Sequence, residues 1–353
     1  MRIVIVGGGI VGLMAAYHAA RAGHEAVIVE ESPGDRRSAS YSNAGVLHLI
    51  QPPPGRKRRR LAPRGARLMA RLAGRLGVET VEAPLVVAVT QRPASLLAEL
   101  AGAALRLLQP EVTARVADSR ELRRVEPLLS REVRGGLIVD GYRVVDPREL
   151  MDALWEEVLG LGAVLARGRA ERIECTSRGA AAVLEGGERV GGDALVNAAG
   201  PGAEALARPL GVHVRTRRVL GVMEVYSRPR PTAIVARLRI GLRAETKGGA
   251  IIPWPRGRTL YGPSFHPDNT PPPPGWVAGL YRGLLEEEPR GLVERIAGYR
   301  TIAEPRDFHV VRPAGCPRTV HLLGIESPGF TASPLLAWWA LSLLGAVRGE
   351  PTI

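Results

Sequence analysis

The first thirty residues change period twice. Residues 1–6, MRIVIV, are a β-branched run; Gly7 to Gly12 interrupt it; residues 13–22 are helix formers; Gly23 stops them, and residues 26–29 return to a strand-like run. That order predicts a strand, a tight turn, a helix and a second strand, a βαβ unit. Two later stretches join a short apolar run to a glycine-rich turn and then to helix formers: ALVNAAGPGAEALA over 194–207 and HLLGIESPGFTASPLLAWWALSLLGAV over 321–347. Between them, residues 214–226, 233–240, 248–254 and 258–264 read as strands, with Pro271 to Pro274 as a loop. Residues 56–75 carry nine basic residues and no acid. There Arg67, Arg71 and Arg75 recur beside Leu68, Leu72 and Leu76, the spacing of an amphipathic helix with a basic face. No internal repeat is visible.

Composition narrows the class. A chain of 353 residues, 45% of them hydrophobic, is ample for a buried core and predicts two domains. No apolar run is long enough to cross a membrane and the chain begins on a strand, so a cytoplasmic protein is expected. Cys175 and Cys316 lack metal-ligand spacing and are expected to be unpaired core residues in a reducing compartment, with no metal site. The net charge of +13 fits nucleic acid, anionic lipid or small acidic ligands. Only Lys57 and Lys247 of the 48 basic residues are lysine, and there are three Asn and three Gln, a bias that suggests a G+C-rich or thermophilic source. Aromatic residues make up 4% of the chain, too few for a base-stacking platform, so no nucleic acid is expected.

The chemistry starts at Gly7-x-Gly9-x-x-Gly12. The first glycine permits the bend, the second lets a pyrophosphate approach the backbone, and the third lets helix and strand pack closely. The phosphates would sit at a helix N-terminus, where unpaired amides and the helix dipole favour negative charge. Glu30, 18 residues beyond Gly12 at the end of the second strand, is placed to accept from a ribose hydroxyl. Three separated small-residue segments, each joining strand to helix, suit a long cofactor lying extended along one domain, which points to FAD.

These features, together with NAGVLH (43–48), DPRELMDAL (146–154), VNAAG (196–200), ETKGGAIIPW (245–254) with LYGPS, VVRPAG (310–315) and GIESPGFTASP (324–334), resemble the FAD-dependent oxidoreductases of the D-amino-acid oxidase and glycine oxidase superfamily. Within it they are most similar to the branch of glycerol-3-phosphate dehydrogenases and L-2-hydroxyglutarate oxidases. The resemblance spans essentially the whole chain. It implies an α/β (α+β) fold in which a Rossmann-like FAD-binding domain (1–80, 146–215 and 306–353) is interleaved with a substrate domain on a mainly antiparallel sheet (81–145 and 216–305).

The resemblance also implies roles. FAD, bound non-covalently, would contact Gly7, Gly9, Ile10, Val11, Gly12, Glu30, Glu31, Ser42, Asn43, Ala44, Gly45, Val46, Ala170, Ala198, Gly200, Gly324, Ser327, Pro328, Gly329, Phe330 and Thr331. Ala44, Gly45 and Val46 would present backbone N–H groups to the flavin, with Asn43 turning the loop. His48 would point over the flavin toward substrate, Arg312 would grip a substrate anion with its planar fork, and Lys247 and Tyr261 would line the cavity. The expected reaction moves a hydride from a small anionic hydroxy compound to the flavin. Glycerol 3-phosphate going to dihydroxyacetone phosphate is the first reading; 2-hydroxyglutarate, or amine and amino-acid oxidation, are the alternatives. Gln51-Pro52-Pro53-Pro54 stands where those relatives tend to carry an arginine, and this puts phosphate specificity in question. The electron acceptor, whether quinone, carrier protein or oxygen, is left open. The basic helix and the apolar last helix, each also explained by packing, leave peripheral membrane contact as a further expectation. The other histidines are expected in structural or surface positions.

Overall fold

A computed structural model of the chain describes residues 1–51, 55–238 and 249–353. The opening βαβ unit forms as its period predicts: β1 (Arg2–Val6), α1 (Ile10–Arg21) and β2 (Glu25–Glu30), with β1 and β2 parallel. Around them a six-stranded sheet runs in the order His309–Val311, Thr319–Leu323, Ala194–Asn197, β1, β2, Val164–Arg167, parallel except at His309–Val311. Its strands thus come from three distant stretches of chain. The core below it packs Leu13, Met14 and Tyr17 of α1 against Leu336, Ala337 and Leu341 of the helix Gly329–Leu343.

An eight-stranded sheet draws on residues 85–139 and 215–304, in the order Arg290–Glu304, Arg215–Arg228, Arg258–Gly262, Ala250–Trp254, Ile234–Arg237, Leu85–Val89, Gly135–Val139, Ala114–Asp118. Every neighbouring pair is antiparallel except Ile234–Arg237 with Leu85–Val89. The strand expected over 233–240 is seen as Ile234–Arg237, and its last residues lie outside the described ones. The mixed α/β architecture matches the expected class.

The basic segment forms α2 (Arg56–Arg75), and its apolar side, with Leu68, Met69 and Leu72 buried, packs on the helix Gly329–Leu343. The last helix is likewise mostly buried. A Cβ at Gly65 would stand 2.4 Å from Thr331 O, so the two helices cross at their small residues. One basic residue departs from the solvated face: Arg58 is 4% exposed and turns inward. No described helix is long and apolar enough to cross a membrane.

The cysteines correct an expectation. Cys175, ending the strand Ala170–Cys175, and Cys316 are joined in a disulfide, with Cα atoms 5.8 Å apart and 141 residues of separation. Bridging requires Cα atoms within about 7 Å, a condition that spacing along a chain does not reveal. The reducing compartment inferred from unpaired thiols loses that support.

Two histidines are built into the core. His18 on α1 has Nε2 3.1 Å from Pro334 O, and His321 meets Asn197 Nδ2 at 3.1 Å and Thr319 Oγ1 at 3.0 Å. Burial lowers the pKa of each from 6.5 to about 4. The unfolded chain therefore takes up protons that the folded protein refuses, and stability falls as pH drops from 6.5 toward about 4. The thermal midpoint should decline across that window, and His321→Gln, at some cost in stability at neutral pH, should decline less steeply. A calorimetric pH series with equal slopes for both proteins would show that His321 is not one of the titrating groups.

Candidate functional site

A cavity of about 1820 Å³ lies between the two sheets, well above the roughly 300–1,000 Å³ of a site for one drug-sized ligand. One end is the β1–α1 turn. Gly7 has φ +105°, and a Cβ on Gly12 would stand 1.8 Å from Gly7 O, so only glycines close this turn. Glu30 accepts Gly8 N at 2.6 Å and Ser32 N at 2.8 Å, which brings its carboxylate to the cavity wall. Ser40 Oγ accepts Ile10 N at 2.9 Å at the start of α1. Trp155, from the helix Pro147–Gly160, packs beneath Gly8, where a Cβ would come within 2.4 Å of its ring.

The wall continues through Ser42, Asn43, Ala44, Gly45 and Val46. Here the glycine has a different reason from the expected one. Gly45 has φ +60°, its N–H donates to Asn43 Oδ1 at 2.8 Å, and a Cβ would fall 1.8 Å from Val145 O. The residue must be small because a neighbouring strand's backbone crowds it, and its amide is already engaged. Asn43 turns the loop as expected, donating through Nδ2 to Ser40 O at 2.7 Å.

His48 follows on the cavity wall. Its N–H donates to Thr331 Oγ1 at 3.1 Å, and Thr331 in turn donates to Val46 O at 3.2 Å, so the start of the helix Gly329–Leu343 fixes the histidine backbone. Nε2 has Ser327 Oγ at 3.4 Å. Burial, and then the nearby Arg58 guanidinium, lower the His48 pKa to about 4, so the imidazole is neutral at ordinary pH.

Arg312 does not reach this site. It is exposed, donates Nε to Pro317 O at 2.8 Å, and is absent from the cavity lining. The arginine that does reach it is Arg300, on the strand Arg290–Glu304. In that strand Ile296, Gly298 and Ile302 face inward and Arg300 shares their parity, a signal the sequence did carry. A Cβ on Gly221 would stand 2.4 Å from Arg300 Nη2, so the guanidinium lies across a bare glycine. Its contacts are Ser264 O at 3.2 Å and the Phe265 ring, with no carboxylate in ion-pair range among the described residues. Burial lowers its pKa, partly offset by Glu326.

Glu326 is itself buried, paired bidentately with Arg306 and 3.9 Å from Arg58 Nη1. Arg58 also donates Nε to Ser327 O at 2.8 Å and Nη2 to Gln51 Oε1 at 3.2 Å. Among other expected residues, Gly9, Ile10, Val11, Glu31, Ala170, Ala198, Gly200, Ser327, Pro328, Gly329, Phe330 and Thr331 line the cavity. Gly324 does not: a Cβ there would stand 2.3 Å from Ala303 Cβ, so it serves contact between the two sheets. Tyr261 is also outside the lining, packed against Tyr226 and Tyr281 with its hydroxyl unpartnered among the described residues. Lys247 lies outside the described residues.

A match to the family described as FAD dependent oxidoreductase (DAO) covers residues 2–343. The chain belongs to that family. Over its fold it is similar to glycine oxidase from Geobacillus kaustophilus, with TM-score 0.85, 21% identity and coverage of 99% and 96% of the two chains. It is also similar to L-α-glycerophosphate oxidase from Mycoplasma pneumoniae with FAD bound, with TM-score 0.82, 19% identity and coverage of 98% and 94%. A D-amino acid dehydrogenase of Methylobacterium sp. (strain 4-46) is 45% identical over 47 residues, 13% of this chain and 11% of that relative's length.

The residues present fit FAD. The glycine turn and Glu30 would hold the adenosine diphosphate half, and the wall from Ser42 to Val46 with Ser327 to Thr331 would border the flavin half. Glu30→Ala removes the acceptor that orders Gly8 and Ser32, and should weaken FAD binding about 5- to 150-fold, roughly 1–3 kcal/mol. Fluorescence titration of the apoprotein measures this; an unchanged dissociation constant would exclude Glu30 from the FAD site.

Proposed function

We propose that this FAD-dependent oxidoreductase dehydrogenates a small anionic hydroxy compound, with Arg300 holding the anion and His48 taking the hydroxyl proton. The single observation that carries this reading is Arg300: a guanidinium in the cavity wall with a carbonyl and a ring for partners but no carboxylate among the described residues. Such a group favours a ligand that brings its own negative charge. Bound FAD supplies the acceptor for the hydride.

His48 supports alcohol over amine chemistry. A hydroxyl keeps its proton at any ordinary pH, so hydride departure needs a base in reach; a neutral amine needs none. With a pKa of about 4, His48 offers a free nitrogen lone pair throughout the neutral range. Arg58 and Arg306, tied to Glu326 and Ser327 O, hold the turn before the last helix and with it the wall beside His48. Glycerol 3-phosphate is the first candidate, supported by the fold's likeness to the glycerophosphate oxidase; 2-hydroxy acids such as 2-hydroxyglutarate follow. The short match to a D-amino acid dehydrogenase favours the second reading, in which Arg300 holds the carboxylate of an amino acid.

Anaerobic flavin bleaching separates the readings: reduction by glycerol 3-phosphate or a 2-hydroxy acid, with glycine and D-amino acids inert, is expected. Reduction by amino acids alone would overturn the first reading. Arg300→Ala should keep bound FAD and lose about 2–5 kcal/mol in kcat/KM, with Arg300→Lys losing less because charge survives without the fork. Arg312→Ala should leave kcat/KM unchanged. His48→Gln should lower kcat far more than it alters KM, and the wild-type rate should fall as pH drops through about 4, where the imidazole takes its proton. Wild-type kinetics in Arg300→Ala would place the anion elsewhere.

A further inference from the structure

We infer that the protein self-associates through α3 (Ala94–Leu108), two copies of that helix packing antiparallel about a twofold axis. The helix covers one side of the eight-stranded sheet, with Ala94, Ala98, Gly102 and Leu105 buried, yet its outer face is apolar. Leu96, Leu100 and Leu107 are 50%, 58% and 83% exposed, and Ala103 is exposed with them. Their spacings of 4, 3 and 4 residues make a straight seam of the kind that packs against another helix. From Leu96 to Leu107 the seam is about 17 Å long.

Charge selects the occupant. Glu99 and Arg106 flank the seam on the same side, seven residues apart, and neither has an ion-pair partner among the described residues. About 10 Å of helix separates them, too far to pair within one chain. In an antiparallel pair, equivalent flanking positions face each other, so Glu99 of one copy meets Arg106 of the other, and the twofold axis repeats the contact. A parallel pair would set each against the opposite flank, where Leu97 and Ala104 stand. A lipid surface asks instead for several basic residues around the apolar face, and this face offers one acid and one base. Ala104 and Leu108 are exposed and also line the cavity, so a partner helix would close that side of the substrate space.

The test is sedimentation equilibrium of the FAD-loaded full chain from about 1 to about 100 µM, a range chosen for an interface of modest area. A mass rising toward twice 37.8 kDa is expected. Leu100→Glu should remain at the monomer mass with an unchanged flavin spectrum, because the residue is exposed. Glu99→Arg and Arg106→Glu should each weaken dimerisation at least tenfold, and the double reversal should restore it. A wild-type monomer across the whole range overturns the inference, as does a dimer indifferent to Leu100→Glu or a double reversal that fails to rescue. A monomer that co-sediments with phosphatidylglycerol vesicles, lost in Leu100→Glu, would assign the face to lipid instead.

Discussion

A guanidinium removed from water has to be answered by opposite charge or by well-placed dipoles, and the cavity wall answers its arginines unequally. Arg306 has both oxygens of Glu326, and Arg58 has Glu326, Ser327 O and Gln51. Among the described residues Arg300 has one carbonyl and one ring. Arg300 is only half-buried, so it can stand without a carboxylate among the described residues, and a ligand's anion would complete it. The rest of the site is arranged around that deficit: Gly221 makes room for the guanidinium, and the paired arginines fix the turn that carries Ser327.

The glycines show how one residue type serves several constraints. Gly7 and Gly12 close a turn at a helix N-terminus, which is the reason their spacing suggests. Gly45 and Gly324 sit in motifs of the same appearance, but the atoms that forbid a side chain there are Val145 O and Ala303 Cβ, contributed by distant strands. A motif reports that space is short. It does not report who occupies the space.

The same limit explains which site residues were legible. Glu30 lines the cavity at the end of a strand whose position the local pattern fixes, whereas His48 and the loop between Ser42 and Val46, which also line it, were singled out only through the family resemblance. Arg300 lies in the middle of a fifteen-residue strand, marked only by parity, and one arginine among 46 carries little signal. Arg312 stood in a motif-like stretch but points to solvent, since Pro317 O captures its Nε. The disulfide joins segments 141 residues apart.

The sequence by itself determined the βαβ unit, the glycine turn with its acidic partner and the amphipathic basic helix, because each depends on periodicity or on contacts within about twenty residues; the interleaved arrangement came only through the family resemblance. Only the tertiary structure decided that Arg58 turns inward, that Glu326 meets two guanidiniums while Arg300 meets no carboxylate among the described residues, and that Cys175 lies against Cys316. Those facts depend on how two sheets built from five stretches of chain close on each other, and side-chain pairing across such a closure leaves no period in the sequence.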